Sequence, residues 1–189
     1  VKRTLFTEAN NRIFNHRTLF TPGGSLQYTY KYGKEKDFFK NSVSIGGDLS
    51  LQNIDEYRVP NNLSVEGSTI LSKQTIKQTG IGVFAIDKME IGPQWNVMLS
   101  FRYDKIKNEL TDILKIPFDV SGNADYDRAT GRIGITYSPL PNLSIFANWG
   151  QGFLPPAIEE LTQNPDNFGG FNSHLTFATS MSEEIGIRG

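Results

Sequence analysis

SVSIGGDLSLQ, residues 42–52, decides the fold. Val43, Ile45, Gly47, Leu49 and Leu51 share one parity; Ser44, Gly46, Asp48, Ser50 and Gln52 share the other. Successive side chains of a strand point to opposite faces, so period-two alternation marks a strand with one apolar and one polar face. A tilted membrane-crossing strand needs about 9–11 residues, whereas a soluble sandwich strand is typically about 5–6. The length of this run therefore favours an all-β, antiparallel transmembrane barrel wall over a sandwich.

The alternation recurs along the chain. Leu26, Tyr28, Tyr30 and Tyr32 alternate with Ser25, Gln27, Thr29 and Lys31. Trp95, Val97, Leu99, Phe101 and Tyr103 alternate with Asn96, Met98, Ser100, Arg102 and Asp104. Ile133, Ile135 and Tyr137 form a shorter set. Leu143, Ile145, Ala147 and Trp149 face away from Ser144, Asn148 and Gly150, with Phe146 interrupting the polar side. Between Thr79 and Ile91 both parities are apolar, and the faces cannot be assigned. Tyr32, Trp95, Tyr103 and Trp149 fall near expected strand ends, where aromatic rings form girdles at the lipid headgroups.

Connections keep the same rhythm. Gly33–Lys40, Gly92–Gln94 and Ser138–Asn142 read as short turns, the last two punctuated by Gly-Pro and Pro-Leu-Pro-Asn. Between them lie longer expected loops, roughly Ile54–Ser72, Lys105–Asp127 and Gln151–Thr179. Outer-membrane barrels alternate short periplasmic turns with long surface loops in this way. Ser42, Trp95 and Leu143 are thus expected to begin strands at a periplasmic rim. Leu71–Ile91, Arg128–Tyr137 and Ser180–Arg188 are expected to return from the cell surface. Helix is limited to one turn at Pro156–Leu161.

Bulk properties narrow the function classes. The chain has 189 residues, a net charge of −1 and no cysteine. That length could bury a soluble core. The mean hydropathy of −0.36 together with 12% aromatic residues also suits a wall in which only alternate residues are apolar. No apolar run approaches the roughly 18 residues of a transmembrane helix. Val1-Lys2-Arg3-Thr4 opens no signal peptide, and the chain is expected to be an internal portion of a longer protein. The lack of cysteine excludes disulfides, thiolate catalysis and sulfur-ligated metals. Near-neutral charge without a basic stripe argues against nucleic acid as a partner.

Catalytic chemistry is absent from the sequence. The two histidines, His16 and His174, lack ligand spacing, so neither a metal nor a cofactor is expected. Glu159 and Glu160 are adjacent and cannot hold two carboxylates across a substrate; they are expected to bond loop backbone beyond Pro155-Pro156. Asp125-Tyr126-Asp127 lacks the ligands and glycine of a calcium loop. Asn164-Pro165-Asp166-Asn167 is turn chemistry. Gly80-Ile81-Gly82 runs on into Val83 and Phe84 as strand rather than phosphate cradle.

The last 47 residues, Leu143 to Gly189, carry a more specific pattern. A strand enters Gly150-Gln151-Gly152-Phe153, then Pro155-Pro156, Glu159-Glu160, a polar loop, and a strand closing on Glu184-Ile185-Gly186-Ile187-Arg188-Gly189. This resembles the barrel of TonB-dependent outer-membrane receptors. It departs from that pattern at Phe177-Ala178, where Pro-Glu is common, and at Glu183, where an aromatic is common.

The resemblance implies a 22-stranded barrel, plugged by a separate N-terminal domain, to which this chain would contribute about seven or eight strands. The plug and its TonB-contacting box are not in this sequence. It further implies uptake of a ferric siderophore or other metal chelate across the outer membrane of a Gram-negative bacterium, with outer-membrane lipid around the wall and TonB as energy partner. Arg102 and Asp104 match a recurrent Arg-Tyr-Asp. Together with Glu184 and Arg188 they are expected to form lumen-wall ion networks. Tyr57, Arg58, Tyr126 and Arg128, in the long loops and the upper lumen, would supply aromatic faces and cations to an anionic chelate. The alternatives are a passive porin or structural barrel, which leaves the closing motif unexplained, and a soluble β-sandwich binding module.

Overall fold

The computed structural model describes residues 2–5, 13–116, 119–161 and 171–189, with side chains placed in these stretches except for 2–5 and 158–159. Asn164-Pro165-Asp166-Asn167 lies outside the described residues. The strands are β1 (Lys2–Leu5), β2 (Ile13–Phe20), β3 (Gly23–Tyr32), β4 (Phe39–Asn62), β5 (Val65–Glu66), β6 (Ser72–Ile91), β7 (Trp95–Asp112), β8 (Gly122–Leu140), β9 (Leu143–Leu154) and β10 (Ala178–Arg188). A single helical turn, α1 (Ile158–Leu161), interrupts the β9–β10 connection.

All pairings are antiparallel, and the path β1-β2-β4-β6-β7-β8-β9-β10 is an open meander of eight rungs. β3 continues β2 rather than adding a rung. Phe20 opposes Asn53 and Gly23 opposes Ser50, so the register does not slip across Thr21-Pro22. Proline has no N–H to give to the ladder, yet its carbonyl still accepts the Leu51 N–H at 2.9 Å. One sheet and no second layer remove the sandwich alternative, among the described residues.

Parity places the faces. The apolar one carries Tyr28, Tyr30 and Tyr32 beside Val43, Ile45 and Leu49, then Ile81, Val83, Leu99, Phe101, Ile133, Ile135, Ile145, Ile185 and Ile187. Ile45, Leu49 and Leu51, together with most of the others, are exposed on it. On β7 the apolar run spans Trp95 to Tyr103. Eight steps of about 3.3 Å, tilted about 40°, give a height of about 20 Å, close to the roughly 25 Å apolar band of an outer-membrane barrel. Trp95 stacks on Tyr137 at the short-turn rim, ring centroids 4.4 Å apart.

Two expectations need correction. The strands overrun the expected loops: β4 continues to Asn62, β7 to Asp112, and β8 begins at Gly122. Beyond Tyr103 the formerly apolar face carries Lys105, Lys107 and Glu109, while Ile106 and Leu110 fall on the other face, so the apolar side changes face although the ladder persists. Tyr103 and Trp149 also lie within β7 and β9 rather than near their ends.

The face ambiguity of Thr79–Ile91 resolves through glycine. Phe84 lies on the polar face opposite Gly46, whose added Cβ would sit 2.5 Å from the ring. Phe146, the interruption in β9, lies over Gly186 in the same way, at 2.3 Å. An aromatic ring laid flat over a cross-strand glycine covers exposed backbone and recovers packing that glycine lacks.

Candidate functional site

At mid-height on the polar face, Asp48 of β4, Gly82 of β6 and Asp104 of β7 form one row. Arg102 reaches across Gly82 to both acids. Its Nη1 and Nη2 donate to Asp48 Oδ2 and Oδ1 at 2.8 and 3.1 Å, and its Nε donates to Asp104 Oδ2 at 2.8 Å. Planar guanidinium geometry suits this bidentate grip. An added Cβ at Gly82 would stand 2.1 Å from Arg102 Nη2, so glycine is what lets the side chain cross.

Nearer the long-loop end the same face is covered and dry. Ile54, Ile76 and Leu110, each 3% exposed, align across β4, β6 and β7, with Val120 and Phe171 packed on them. One step further lies Glu56, whose side chain is fully buried. A buried carboxylate is costly without partners. Here Arg17 Nη2 donates to Oε2 at 2.7 Å, Arg58 Nη2 to Oε1 at 2.8 Å and Gln74 Nε2 to Oε1 at 3.3 Å. The neighbouring Asp112 carboxylate accepts the backbone N–H groups of Leu114, Lys115 and Val120, which shapes the β7–β8 loop.

The β9–β10 connection returns along β8. Phe171 covers Gly122, Tyr126 Oη donates to the Leu175 carbonyl at 2.9 Å, and the Arg128 guanidinium sits 5.3 Å from the Phe177 ring. Each contact joins residues 49 apart, so residues 171–177 run parallel to β8 in step with it. Burial raises the Tyr126 phenol above its ordinary pKa. At the far end of the same connection, Glu160 accepts the Ala157 N–H at 2.9 Å and caps α1, as expected of that residue.

Tyr57, Arg58 and Tyr126 thus lie on strands rather than in the long loops, Arg128 lies on a strand as expected, and the register separates the four. Arg58 lies on the polar face, tied to Glu56. Tyr126 and Arg128 lie on the same face of β8, holding the returning segment. Tyr57 lies on the opposite face, stacked on His16 with centroids 4.5 Å apart. Of the expected wall charges, Arg102 and Asp104 pair. Glu184 and Arg188 do not pair with each other: Glu184 accepts Asn148 Nδ2 at 3.2 Å and Arg188 lies 5.9 Å over Phe146. Sequence reasoning missed Asp48, Gly82, Glu56 and Arg17. Polar-side placement of Asp48 was available, whereas Gly82 lies where the faces could not be assigned, and partners 54 residues apart become neighbours only through two strand registers.

The family model for the TonB dependent receptor-like β-barrel matches residues 2–188. No curated protein matches the chain by sequence. Among solved structures, the ferric citrate transporter FecA in the unliganded form is similar with a TM-score of 0.70 at 16% identity, over 80% of this chain and 23% of that one. The alcaligin outer-membrane receptor FauA from Bordetella pertussis has a TM-score of 0.65 at 14% identity, over 93% and 27%. The ferric yersiniabactin uptake receptor FyuA from Yersinia pestis has 0.66 at 12%, over 98% and 28%. The chain therefore spans about a quarter of the length of the structures it matches, and at these identities they establish its fold. With the family model covering nearly every residue, the chain belongs to the TonB-dependent receptor β-barrel family.

Proposed function

We propose that this chain is barrel wall of an outer-membrane receptor that binds a ferric siderophore or similar metal chelate at its long-loop end and imports it to the periplasm with TonB-derived energy. The observation that carries the reading is one sheet divided into an exposed apolar face and a charged, glycine-rich face. That division suits a wall between lipid and a hydrated interior. Family members are outer-membrane barrels of Gram-negative bacteria, and the similar structures are named for ferric citrate transport, alcaligin and ferric yersiniabactin uptake. In this reading the short turns face the periplasm, and a separate N-terminal plug occupies the interior and contacts TonB.

Arg58, Tyr126 and Arg128 border the interior at the outer end, where cations and aromatic faces suit an anionic chelate. Tyr57 reaches ligand only over the rim. The test is deletion of the parent gene, followed by growth under iron limitation on a panel of iron chelates. Loss of growth on one chelate, rescued by the parent gene only in cells with TonB, is the expected result. Undiminished growth on every chelate, or rescue without TonB, would favour a passive pore instead.

A further inference from the structure

Tyr28, Tyr30 and Tyr32 run down the outward face of β3, all exposed. Tyr32 belongs to the last pair before a short turn, at the level of a headgroup girdle. Tyr28 lies four residues further along the strand, about 11 Å deeper into the apolar band. Among the described residues its hydroxyl has no hydrogen-bond partner. Two strands away the same face carries Asp87, whose carboxylate meets one side-chain donor, Asn41 Nδ2. Hydrocarbon offers the hydroxyl no acceptor and the acid no donor, and such groups are costly inside a bilayer.

Register sets the depth of each group. The last pairs before the short turns are Tyr32–Asn41, Ile91–Trp95 and Leu140–Leu143. Asn41 stands two residues above Phe39 in the Trp95 row, and Leu143 stands two residues below Ile145 in that row. Rows therefore climb toward the long-loop end by one residue per strand. With a rise of about 3.3 Å and a strand spacing of about 4.8 Å, the tilt is about 35°. Asp87 shares the row of Tyr30 two strands on, so it stands at the depth of Tyr28. Phe101 shares the row of Ile45 two strands on, so it stands at the depth of Gly47. Each pair is about 12 Å apart sideways, and at this tilt the two pairs have one midline along the membrane normal.

We infer that this face pairs with a second copy of the protein about a two-fold axis on that midline. The inference rests on the reading of this wall as lipid-facing. A two-fold contact sets each residue against one at its own depth across the axis. The Tyr28 hydroxyl of each copy then donates to Asp87 of the other. Phe101, exposed in mid-band, enters the other copy's notch of about 540 Å³ at Gly47, lined by Leu26, Tyr28, Ile45 and Val83. Glycine there lets the ring approach the backbone. The patch carries both halves of its own contact, donor with acceptor and ring with notch, which favours a second copy over an unrelated partner.

The experiment uses the full-length parent, free of other cysteines, in native outer membranes. One strain carries Ala85→Cys, beside the axis, and another Ile133→Cys, at the same depth two strands further away. Yields are taken per heat-modifiable, folded receptor. Oxidation is expected to give Ala85→Cys a product of twice the parent mass and to leave Ile133→Cys monomeric. Asp87→Asn and Tyr28→Phe each remove or weaken two charge-assisted bonds per dimer, and each is expected to cut that yield about tenfold or more. A lipid-soluble maleimide is expected to label Ile133→Cys, and a water-soluble one to miss it. Equal dimer at both positions, none at Ala85→Cys, an adduct of another mass there, or a yield indifferent to both substitutions overturns the inference, while lipid-side labelling keeps the reading of the wall. Labelling of Ile133→Cys by the water-soluble reagent overturns both.

Discussion

Gly82→Ala tests whether glycine is the passage for Arg102. The new methyl would stand 2.1 Å from Arg102 Nη2 and 2.8 Å from its Cζ, so the guanidinium must lift by more than 1 Å, roughly the shortfall from carbon contact distance. The tip of a long side chain moves easily, and the steric cost is small. What is lost is the grip on Asp48, two charge-assisted bonds at 2.8 and 3.1 Å. Bonds to charged groups contribute about 1.5–3 kcal/mol each when enclosed. These side chains are 36% and 38% exposed, so screening leaves about 1–3 kcal/mol for the pair. Alanine also reduces the freedom of the unfolded chain, worth about 0.5–1 kcal/mol in the opposite direction.

The expected net cost of Gly82→Ala is about 1–2 kcal/mol. It is measured by urea titration of the parent receptor in lipid vesicles. Asp48→Asn removes the same grip, so the double variant should cost little more than the worse single one. Strictly additive losses, or a Gly82→Ala variant as stable as the parent, would refute the reasoning.

Further outcomes follow from the same geometry. Glu183 faces outward directly opposite Trp149; Glu183→Phe should stabilise the barrel in vesicles by about 1 kcal/mol, through an aromatic pair and removal of an acid from the apolar face. In the β4–β5 turn, Leu63 and Ser64 both have positive φ, 53° and 70°. Replacing them by Asn-Gly, which adopts that turn readily, should add about 1 kcal/mol to the same urea transition. In the β7–β8 loop, the Lys115 ammonium at 2.6 Å and the Ser121 hydroxyl and N–H hold Asp119 down to about 2, from an ordinary value of 3.8. Its folded value is depressed, so its contribution to loop order is complete above about pH 4 and lost as pH falls toward 2. Carboxyl-carbon NMR should show the midpoint returning toward the ordinary value in Lys115→Ala. Phe171→Ala, which uncovers Gly122 and the Ile54–Ile76–Leu110 cluster, should make the 171–177 segment cleavable by added protease while the strands stay resistant.

Much of this architecture is legible from residue order alone, because a strand fixes the face of each side chain by parity. Residues 42–52 and 95–104 declare their two faces; Gly92-Pro93-Gln94 and Pro141-Asn142 declare their turns; the closing stretch declares the family. Parity misleads where the apolar side changes face, as at Ile106 and Leu110, or where polar residues interrupt it. Asp55 to Asn62 and Lys105 to Asp112 therefore read as loop, although backbone bonding continues through them. Two of the ligand candidates, Tyr57 and Arg58, fell in the first of those stretches, and only pairing register shows that Tyr57 turns away from the face shared by Arg58, Tyr126 and Arg128. Phe84 and Phe146 look like errors in the pattern until register sets a glycine opposite each ring. The Asp48–Arg102–Asp104 grip and the burial of Glu56 between two arginines both join residues on different strands. Sequence order determines which way each side chain points; tertiary register alone decides which side chains meet, because hydrogen-bonded strands bring distant residues to within a few ångströms.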